Sequence, residues 1–293
     1  DVRVSSMAPV SSRVEARPDD VVVIYVIRHG QSRWNVARER NDLFGMLRLD
    51  HPLTPLGVEQ ARALAAAAAG RKGDSELAAE LAAAQAIWAS PLARALETAL
   101  VGLHPVLCSS ARQDAPALVL KPALREKKRP GGLDSISARR GRGCVRRALA
   151  FLGRDISSAD AAELASVQVD AREAARRWWA WVESRNALRR RIRRLLLDLE
   201  RSQLRAVILV GHSFLFRELF RMAIVEGAAP PEVVEQLTQR KAGHCDVVRC
   251  EMNLGLGSIT SVHIYSPAAG VVVDEGARQR RRGGGRRVAP ESG

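Results

Sequence analysis

The sequence has few cysteines and no long hydrophobic run. Four cysteines occur among 293 residues and none forms a C-x-x-C pair, which excludes a disulfide framework and favours a reducing compartment. The longest apolar stretches, such as Leu64–Ala69 and Val207–Val210, are far shorter than the roughly 20 residues that span a bilayer. These shortages exclude a disulfide-rich secreted protein and a helical membrane protein, and we expect no membrane partner.

Lysine is also scarce, because only five of the 46 basic residues are Lys, and the net charge of +14 is unevenly placed. Residues 121–147 hold ten basic residues against two acidic ones, and the tail from Gly276 holds six Arg against one Glu. Nucleotide bias is an alternative explanation of the arginine excess. The tail has no aromatic residue to stack on bases, so we expect no nucleic-acid partner beyond weak electrostatic contact.

Composition divides the chain into three parts. Residues 1–20 are polar and without periodicity, which predicts a disordered N-terminal segment; a transit peptide remnant is an alternative, so the expected location is the cytoplasm or an organelle. Residues 21–268 form one predicted domain, in which 127–170 are a basic cap insertion or, alternatively, an exposed basic loop. Residues 276–293 are predicted to be a disordered Arg/Gly-rich tail.

Strands and helices alternate in the central part. Two continuous apolar runs, Val21–Ile27 and Ala206–Val210, are typical of parallel strands buried on both faces. Thr54-Pro55 and Ser90-Pro91 each predict a helix start, with the hydroxyl residue as cap and Pro in the first turn. Further strands are predicted at Ala86–Ala89, Ala117–Leu120, Asp246–Met252 and Ser258–Tyr265, and helices at Thr54–Gly70, Ser90–Gly102, Ala171–Arg201 and Ser213–Ala223. The predicted fold is an α/β/α sandwich of three layers around a mostly parallel sheet.

Several predicted strands end in residues that bind anions. Arg28 and His29 follow the first strand, Ser90 and Arg94 follow the second, and His212 follows the run at 206–210. The carboxyl ends of parallel strands meet at one edge of an open sheet, where ligands bind. Arginine and helix N-termini match phosphate oxygens, and a neutral imidazole can attack phosphorus. The sequence therefore predicts a phosphate site with a histidine nucleophile.

These motifs resemble the histidine phosphatase superfamily, which has a phosphoglycerate mutase-like fold. Arg28-His29-Gly30-Gln31-Ser32-Arg33-Trp34-Asn35 is similar to its R-H-G-x-S-x-x-N signature, and three further blocks follow in the family's order, Asp50–Gly57, Ser90–Thr98 and Gly211–Ser213. Because Ser rather than Asp follows His212, the resemblance favours the mutase and bisphosphatase branch.

The resemblance implies roles for individual residues. His29 is the expected phosphohistidine nucleophile, Arg28, Arg94 and the catalytic His212 bind the phosphoryl group, and Asn35 and Ser213 line the pocket. Glu126 is the expected general acid; an ion-pair role among its basic neighbours is the alternative, and Asp134 is then the next candidate. We expect no metal and no cofactor. The remaining histidines, His51, His104, His244 and His263, are predicted to be structural.

The expected function is hydrolysis of a small phosphorylated substrate, a sugar phosphate or bisphosphate, without a metal. In phosphoglycerate mutases the acid is followed by an Arg-x-Tyr-Gly segment, whereas here Glu126 leads into Lys127-Lys128-Arg129. The single-signed charge of the predicted cap would steer anions to the pocket. A phosphoglycerate mutase and a noncatalytic phosphate-binding member remain alternatives, and the sequence leaves the oligomeric state open.

Overall fold

Seven strands form one sheet in the computed structural model, which describes residues 21–71, 75–108, 116–128 and 133–272. The strands are β1 (Val21–Arg28), β2 (Ala86–Ala89), β3 (Leu118–Leu120), β4 (Val169–Asp170), β5 (Ala206–Gly211), β6 (Val247–Asn253) and β7 (Ser258–Tyr265). Their spatial order is β4-β3-β2-β5-β1-β6-β7. The first five are parallel, and β6 and β7 are added antiparallel beyond β1.

Eleven α-helices and one short 3₁₀ helix are seen in the described residues. They are α1 (Arg33–Glu39), α2 (Leu43–Met46), α3 (Pro55–Ala68), α4 (Ser75–Ala82), α5 (Ala93–Gly102), α6 (His104–Leu107), the 3₁₀ helix Pro122–Leu124, α7 (Arg142–Leu152), α8 (Ser158–Ser166), α9 (Arg185–Ser202), α10 (Ser213–Ala223) and α11 (Pro231–Thr238). None of these helices combines the length and the apolarity needed to cross a membrane.

Apolar side chains of β1 point alternately to two hydrophobic cores. Tyr25 and Ile27 pack with α3, α4 and α5 on one face of the sheet. Val22, Ile24 and Val26 pack with α9 and α10 on the other. A strand that is covered on both faces needs apolar residues at every position, which explains the continuous run in the sequence. The predicted three-layer sandwich with a mostly parallel sheet is confirmed.

Most predicted elements are found within one or two residues of their predicted ends. The cap of α3 is the predicted one, since the Thr54 hydroxyl accepts a hydrogen bond from the Gly57 amide at 3.0 Å. The strands β6 and β7 occur at the predicted places, with β6 shifted by one residue.

The predicted helix over Ala171–Arg201 is wrong in its first half. Only Arg185–Ser202 are helical, and the Ser184 hydroxyl caps this helix by accepting from the Ala187 amide at 3.1 Å. Trp178 packs in the core beside α5, whereas Leu188 packs in the core on the opposite face. The segment between them follows edge strand β4, so it must pass around the sheet edge, and a straight helix could not do this.

The segment predicted as a cap contains α7, α8 and β4. Cys144, Ala148 and Leu152 of α7 pack in the same core as α5, and Ser137 donates a hydrogen bond to Asp50 at 2.7 Å. Residues 129–132 lie outside the described residues, as do the N-terminal segment 1–20 and the tail 276–293. The cap function and the two disordered ends stay predictions.

Glu97 is a buried carboxyl in the middle of α5. Its Oε2 accepts a hydrogen bond from the Leu53 amide at 2.7 Å, while Oε1 is buried without a hydrogen-bond partner among the described residues. Burial raises the pKa of Glu97 to about 8, against an ordinary value of 4.5. Between these two values the folded protein keeps a proton that the unfolded chain releases, so the free energy of unfolding falls as pH rises through this range.

We therefore expect the melting temperature of the wild type to fall between pH 5 and pH 8, and to fall less in Glu97→Gln. Glutamine keeps an acceptor for the Leu53 amide but has no proton to lose. Glu59→Gln, at a half-buried position on α3 paired with Arg62, is the matched control and should follow the wild type. Equal pH-dependent losses in Glu97→Gln and the wild type would show that Glu97 is ionised in the folded protein.

Candidate active site

The carboxyl ends of four neighbouring parallel strands carry the predicted site residues. Arg28 ends β1 and His29 follows it, His212 follows β5, and Arg94 lies in the first turn of the helix after β2. Glu126 comes shortly after β3, beyond the 3₁₀ helix. Strand pairing extends into the site, since the His29 amide donates to the Gly211 carbonyl at 3.1 Å. The predicted convergence of these residues is found.

His29 is a buried, neutral imidazole with a defined tautomer. Its Nδ1 lies 2.7 Å from the carbonyl oxygen of Gly30, which can only accept, so Nδ1 carries the hydrogen. Its Nε2 accepts a hydrogen bond from Nε of Arg94 at 3.2 Å. Burial, with the charge of Arg94 next, holds the pKa of His29 well below its usual range. The lone pair of Nε2 is thus unprotonated and faces a guanidinium group, which is the form in which imidazole is a nucleophile.

The backbone after His29 is held by close contacts. The Gly30 amide donates to the Thr98 hydroxyl at 3.0 Å, and that hydroxyl donates to the Arg94 carbonyl at 2.7 Å. A Cβ on Gly30 would lie 2.6 Å from the Gly57 carbonyl oxygen, so only glycine permits this approach to α3. The turn that carries His29 is therefore fixed to both α3 and α5.

Arg94 is placed by the start of α5, and Asp50 supplies the cap of that helix. The Asp50 carboxylate accepts hydrogen bonds from the Ala93 amide and the Ser137 hydroxyl, both at 2.7 Å. The guanidinium of Arg94 is 1% exposed. Besides contacting His29, it donates through Nη1 to the Asp134 carbonyl at 2.8 Å and lies with Nη2 3.4 Å from the Asp134 carboxylate. The outer edge of Arg94, the fork that fits an oxyanion, is occupied by Asp134.

Ser90 does not cap α5, so that prediction is wrong. The helix begins at Ala93, and the Ser90 hydroxyl instead lies 2.8 Å from Nε2 of His212. The same hydroxyl oxygen accepts from the Leu92 amide at 3.3 Å. Because a hydroxyl also has a second lone pair and its own hydrogen, it can pair with Nε2 of His212 in either tautomer of the ring. Nδ1 of His212 is buried without a hydrogen-bond partner among the described residues.

One ring nitrogen of His212 is thus buried with no hydrogen-bond partner in the described residues. Its ring centroid lies 5.1 Å from that of His29. Burial, with Arg94 next, holds the pKa of His212 well below its usual range, so the ring is neutral. An unsatisfied buried polar atom is costly, and an oxyanion between the two rings would satisfy Nδ1 in the tautomer that carries its hydrogen there.

Glu126 is buried, and its carboxylate accepts from backbone amides rather than from basic side chains. Its Oε1 accepts from the Lys127 amide at 2.7 Å, and Oε2 accepts from the Phe214 amide at the start of α10 at 3.4 Å. Burial, with Asp134 next, raises the pKa of Glu126. The neighbouring Arg125 is paired elsewhere, with Glu183 at 2.9 Å. The geometry fits a proton donor better than a surface ion pair.

A buried ion pair on α9 holds the backbone that carries Glu126. Arg191 donates to both carboxylate oxygens of Glu183, at 2.8 and 2.7 Å. Its Nη1 also donates to the carbonyls of Ala123 and Arg125, at 2.7 and 2.8 Å. Removing one partner of a buried pair typically costs about 3–5 kcal/mol, so this contact firmly positions the 3₁₀ helix beside the site.

Asn35 and Ser213, the two predicted pocket-lining residues, are half-buried. The Asn35 side-chain oxygen accepts from the amide and the hydroxyl of Ser32, at 2.9 and 2.8 Å, and so caps α1. Ser213 is the first residue of α10, directly after His212. Their contacts with a substrate stay predictions.

His244, predicted to be structural, lies in the site. Its Nε2 is 3.2 Å from Nη2 of Arg28, and its Nδ1 is 2.9 Å from the carbonyl oxygen of His29. The antiparallel pairing of β6 with β1 could have revealed the position of His244, because β6 begins beside the end of β1.

The other three histidines lie elsewhere: His51 beside Trp34, His104 beside Glu163 and His263 beside Tyr265. Within the described residues, no group of three or more His, Cys, Asp or Glu could hold a metal ion.

Comparison with known proteins supports the resemblance over part of the chain. Residues 24–107 match the histidine phosphatase superfamily (branch 1), a segment that includes Arg28, His29 and Arg94. No curated protein matches the sequence. Similar solved structures include a proposed α-ribazole-5′-P phosphatase from Escherichia coli, with 18% identity over 85% of this chain and 100% of that chain and a TM-score of 0.48.

Two further similar structures are an ecdysone phosphate phosphatase and a phosphoglycerate mutase. The first, from Bombyx mori, is 17% identical over 87% of this chain and 95% of that chain, with a TM-score of 0.45. The second, from Bacillus anthracis, is 19% identical over 85% of this chain and 95% of that chain, with a TM-score of 0.43. Because these TM-scores lie below 0.5, the fold assignment rests on the sheet order and the two helical layers of the chain itself.

The contact between Asp134 and Arg94 predicts how anion affinity responds to a substitution. Asp134→Asn should bind inorganic phosphate roughly tenfold more tightly, because the carboxylate no longer competes for the guanidinium of Arg94. Isothermal titration calorimetry measures the dissociation constant. Asp160→Asn, which removes the same charge from α8 beside Arg62, is the control and should leave it unchanged. Weaker phosphate binding in Asp134→Asn would mean that the carboxylate orients Arg94 for the anion.

Proposed function

We propose that the protein is a metal-independent phosphomonoesterase acting on a small phosphorylated metabolite through a phosphohistidine, in keeping with the match of residues 24–107 to the histidine phosphatase superfamily (branch 1). The observation that carries this proposal is the state of His29. Its ring is neutral, its Nδ1 is bonded to the Gly30 carbonyl, and its Nε2 lone pair faces the Arg94 guanidinium.

The first step transfers the phosphoryl group to His29. An incoming phosphate displaces Asp134 from Arg94, and the freed guanidinium binds the equatorial oxygens together with Arg28 and the Nδ1 hydrogen of His212. Nε2 of His29 then attacks phosphorus, forming an N–P bond as the ester P–O bond breaks. Positioned cations and donors stabilise the charge that spreads over these oxygens.

Glu126 completes the cycle by moving one proton in each direction. Its raised pKa keeps the carboxyl protonated to higher pH than usual, so it can protonate the departing alkoxide. The resulting carboxylate then takes a proton from water as the water oxygen attacks phosphorus and the N–P bond breaks. Inorganic phosphate leaves, and His29 and Glu126 return to their starting states.

In this mechanism the positive charges that stabilise the phosphate oxygens come from arginine side chains instead of a metal ion. Arg28 and Arg94 are permanently charged and almost fully buried, so their attraction for phosphate oxygens is little screened by water. A sugar phosphate or bisphosphate is the favoured substrate class, since it offers the terminal phosphate group that this pocket fits.

A mutase would use the same phosphohistidine but pass the group to a second metabolite. The Arg-x-Tyr-Gly segment that follows the acid in phosphoglycerate mutases is missing after Glu126. Assays with 3-phosphoglycerate, with and without the bisphosphate primer, distinguish the two reactions: release of inorganic phosphate supports the phosphatase, and primer-dependent isomerisation supports the mutase.

The nucleophile is tested with His29→Ala. We expect the variant to lose at least about 10³-fold in turnover, because no other group forms the covalent intermediate. Incubation of the wild type with labelled substrate and an acid-free quench should trap an acid-labile, base-stable phosphoramidate that the variant lacks. His263→Ala, at an exposed position on β7, should keep both turnover and the adduct. The same adduct in His29→Ala would place the nucleophile elsewhere.

The role of Glu126 is tested by changing the leaving group. Glu126→Gln should slow phosphorylation of His29 by a sugar phosphate about 10²-fold or more, because an alkoxide needs a proton to depart. Phosphorylation by p-nitrophenyl phosphate should change only a few-fold, since nitrophenolate leaves unaided. The rate of the first burst of leaving group measures this step separately from hydrolysis of the phosphohistidine.

Glu173→Gln is the matched control for this comparison. Glu173 is exposed and pairs with Lys121, so the change should affect neither ester. Equal losses for both esters in Glu126→Gln would show that Glu126 has a binding or structural role, and Asp134 would become the next candidate acid.

A further inference from the structure

The loop before β6 encloses Arg28 and His29. The Cys245 amide donates to the Arg28 carbonyl at 2.9 Å, and Nη1 of Arg28 donates to the Ala242 carbonyl at 2.7 Å. Between these two contacts lies His244, whose side chain is half-buried and whose ring is 5.9 Å from the ring of His29. Ala242, His244 and Cys245 therefore contact the side chain or the backbone of Arg28.

The conformation of this loop is specified by its own residues. Cys245 has a φ of +60°, a left-handed conformation that few residues with side chains adopt. The Asp246 carboxylate accepts from the Gly243 amide at 2.5 Å, and a Cβ on Gly243 would lie 2.6 Å from that carboxylate. Unfavourable backbone conformations persist where the surrounding structure requires them, and they cluster at functional sites. Here the turn directs one imidazole at Arg28 and His29.

The tautomer of His244 follows from its partners. The His29 carbonyl can only accept, so Nδ1 carries the hydrogen, and the Arg28 guanidinium can only donate, so Nε2 carries the lone pair. A neutral imidazole meets both demands at once, and burial, with Arg28 next, lowers the pKa of His244 to about 4. Both ring nitrogens are engaged, so the ring has no free atom with which to attack or protonate a substrate.

We propose that His244 is a positioning residue for the phosphoryl-transfer reaction. It holds the phosphate-binding guanidinium of Arg28 and the backbone of the nucleophile His29 in a fixed position relative to each other. This rests on the proposed function. Through Nε2 it orients Arg28 toward the anion, and through Nδ1–H it fixes the carbonyl of His29. The two contacts serve different steps of the reaction. The contact with Arg28 supports phosphate binding, and the contact with the backbone of His29 directs the ring that attacks phosphorus.

Two amide substitutions separate these contacts. His244→Asn keeps a donor near Nδ1 for the His29 carbonyl but is too short to accept from Arg28. His244→Gln places an oxygen near Nε2 for Arg28 but loses the donor to His29. Inorganic phosphate is the binding probe, measured by calorimetry, and the burst of p-nitrophenol measures phosphorylation of His29. His263→Asn and His263→Gln, at the exposed position on β7, are the matched controls.

We expect His244→Asn to weaken phosphate binding about tenfold while the burst rate at saturating substrate stays within about twofold of the wild type. His244→Gln should show the reverse, a burst about tenfold slower with nearly unchanged phosphate affinity. Losses of equal size in both measurements for both variants, or no loss in either, would overturn the proposal and leave His244 as a packing residue. Phosphate binding does not depend on turnover, so an inactive wild type that binds phosphate would refute the phosphatase function alone.

A measurement on the wild type keeps the proposal testable if the variants fold poorly. The nitrogen chemical shifts of the His244 ring should show a neutral imidazole with hydrogen on Nδ1 and none on Nε2 at pH 7. Hydrogen on Nε2, in either the other tautomer or the charged ring, would contradict the proposal, since Nε2 could not then accept from Arg28.

Discussion

Burying two guanidinium groups beside three imidazole rings imposes a strict condition on every neighbouring group. Burial, with the fixed charges of Arg28 and Arg94 next, keeps the rings of His29, His212 and His244 neutral, so each nitrogen is a donor or an acceptor as its partner requires. The Gly30 carbonyl settles the tautomer of His29, and the His29 carbonyl settles that of His244. The proposed nucleophile is therefore kept unprotonated by burial and by the same positive charge that is proposed to bind the substrate.

The surroundings also determine the state of the two carboxyl groups at the site. Asp134 occupies the outer edge of Arg94, and its proximity to Glu126 adds to the burial that raises the pKa of that carboxyl. One carboxyl is thereby kept in the form that its proposed role as proton donor needs, while the other fills the place where an oxyanion could bind. Arg191 contributes by holding the carbonyls on either side of Leu124, next to Glu126.

The parts of the fold that could be predicted are those with a local cause. Strands buried on both faces require continuous apolar runs, and the Thr54 cap is encoded within four residues. The helix predicted from Ala171 begins too early, because the chain must first pass around edge strand β4. The spacing of apolar residues carries no information about that path. Ser90 and His244 were misread for a related reason, because their partners lie 122 and 216 residues away in the sequence. The motifs identified residues that the fold brings together, but the contacts that orient them depend on strand order and on an antiparallel pairing.

The position of β1 has a consequence for how the molecule is made. β1 is nearly the first part of the described chain to be synthesised, yet its two partners, β5 and β6, begin only at Ala206 and Val247. A growing chain therefore contains an apolar strand with both edges unpaired until most of the protein has emerged, and such edges promote aggregation. The order of synthesis also delays assembly of the candidate site, because His29 exists early but has neither His212 nor His244 beside it. Any product that stops before β5 carries His29 without the two rings that surround it in the finished fold.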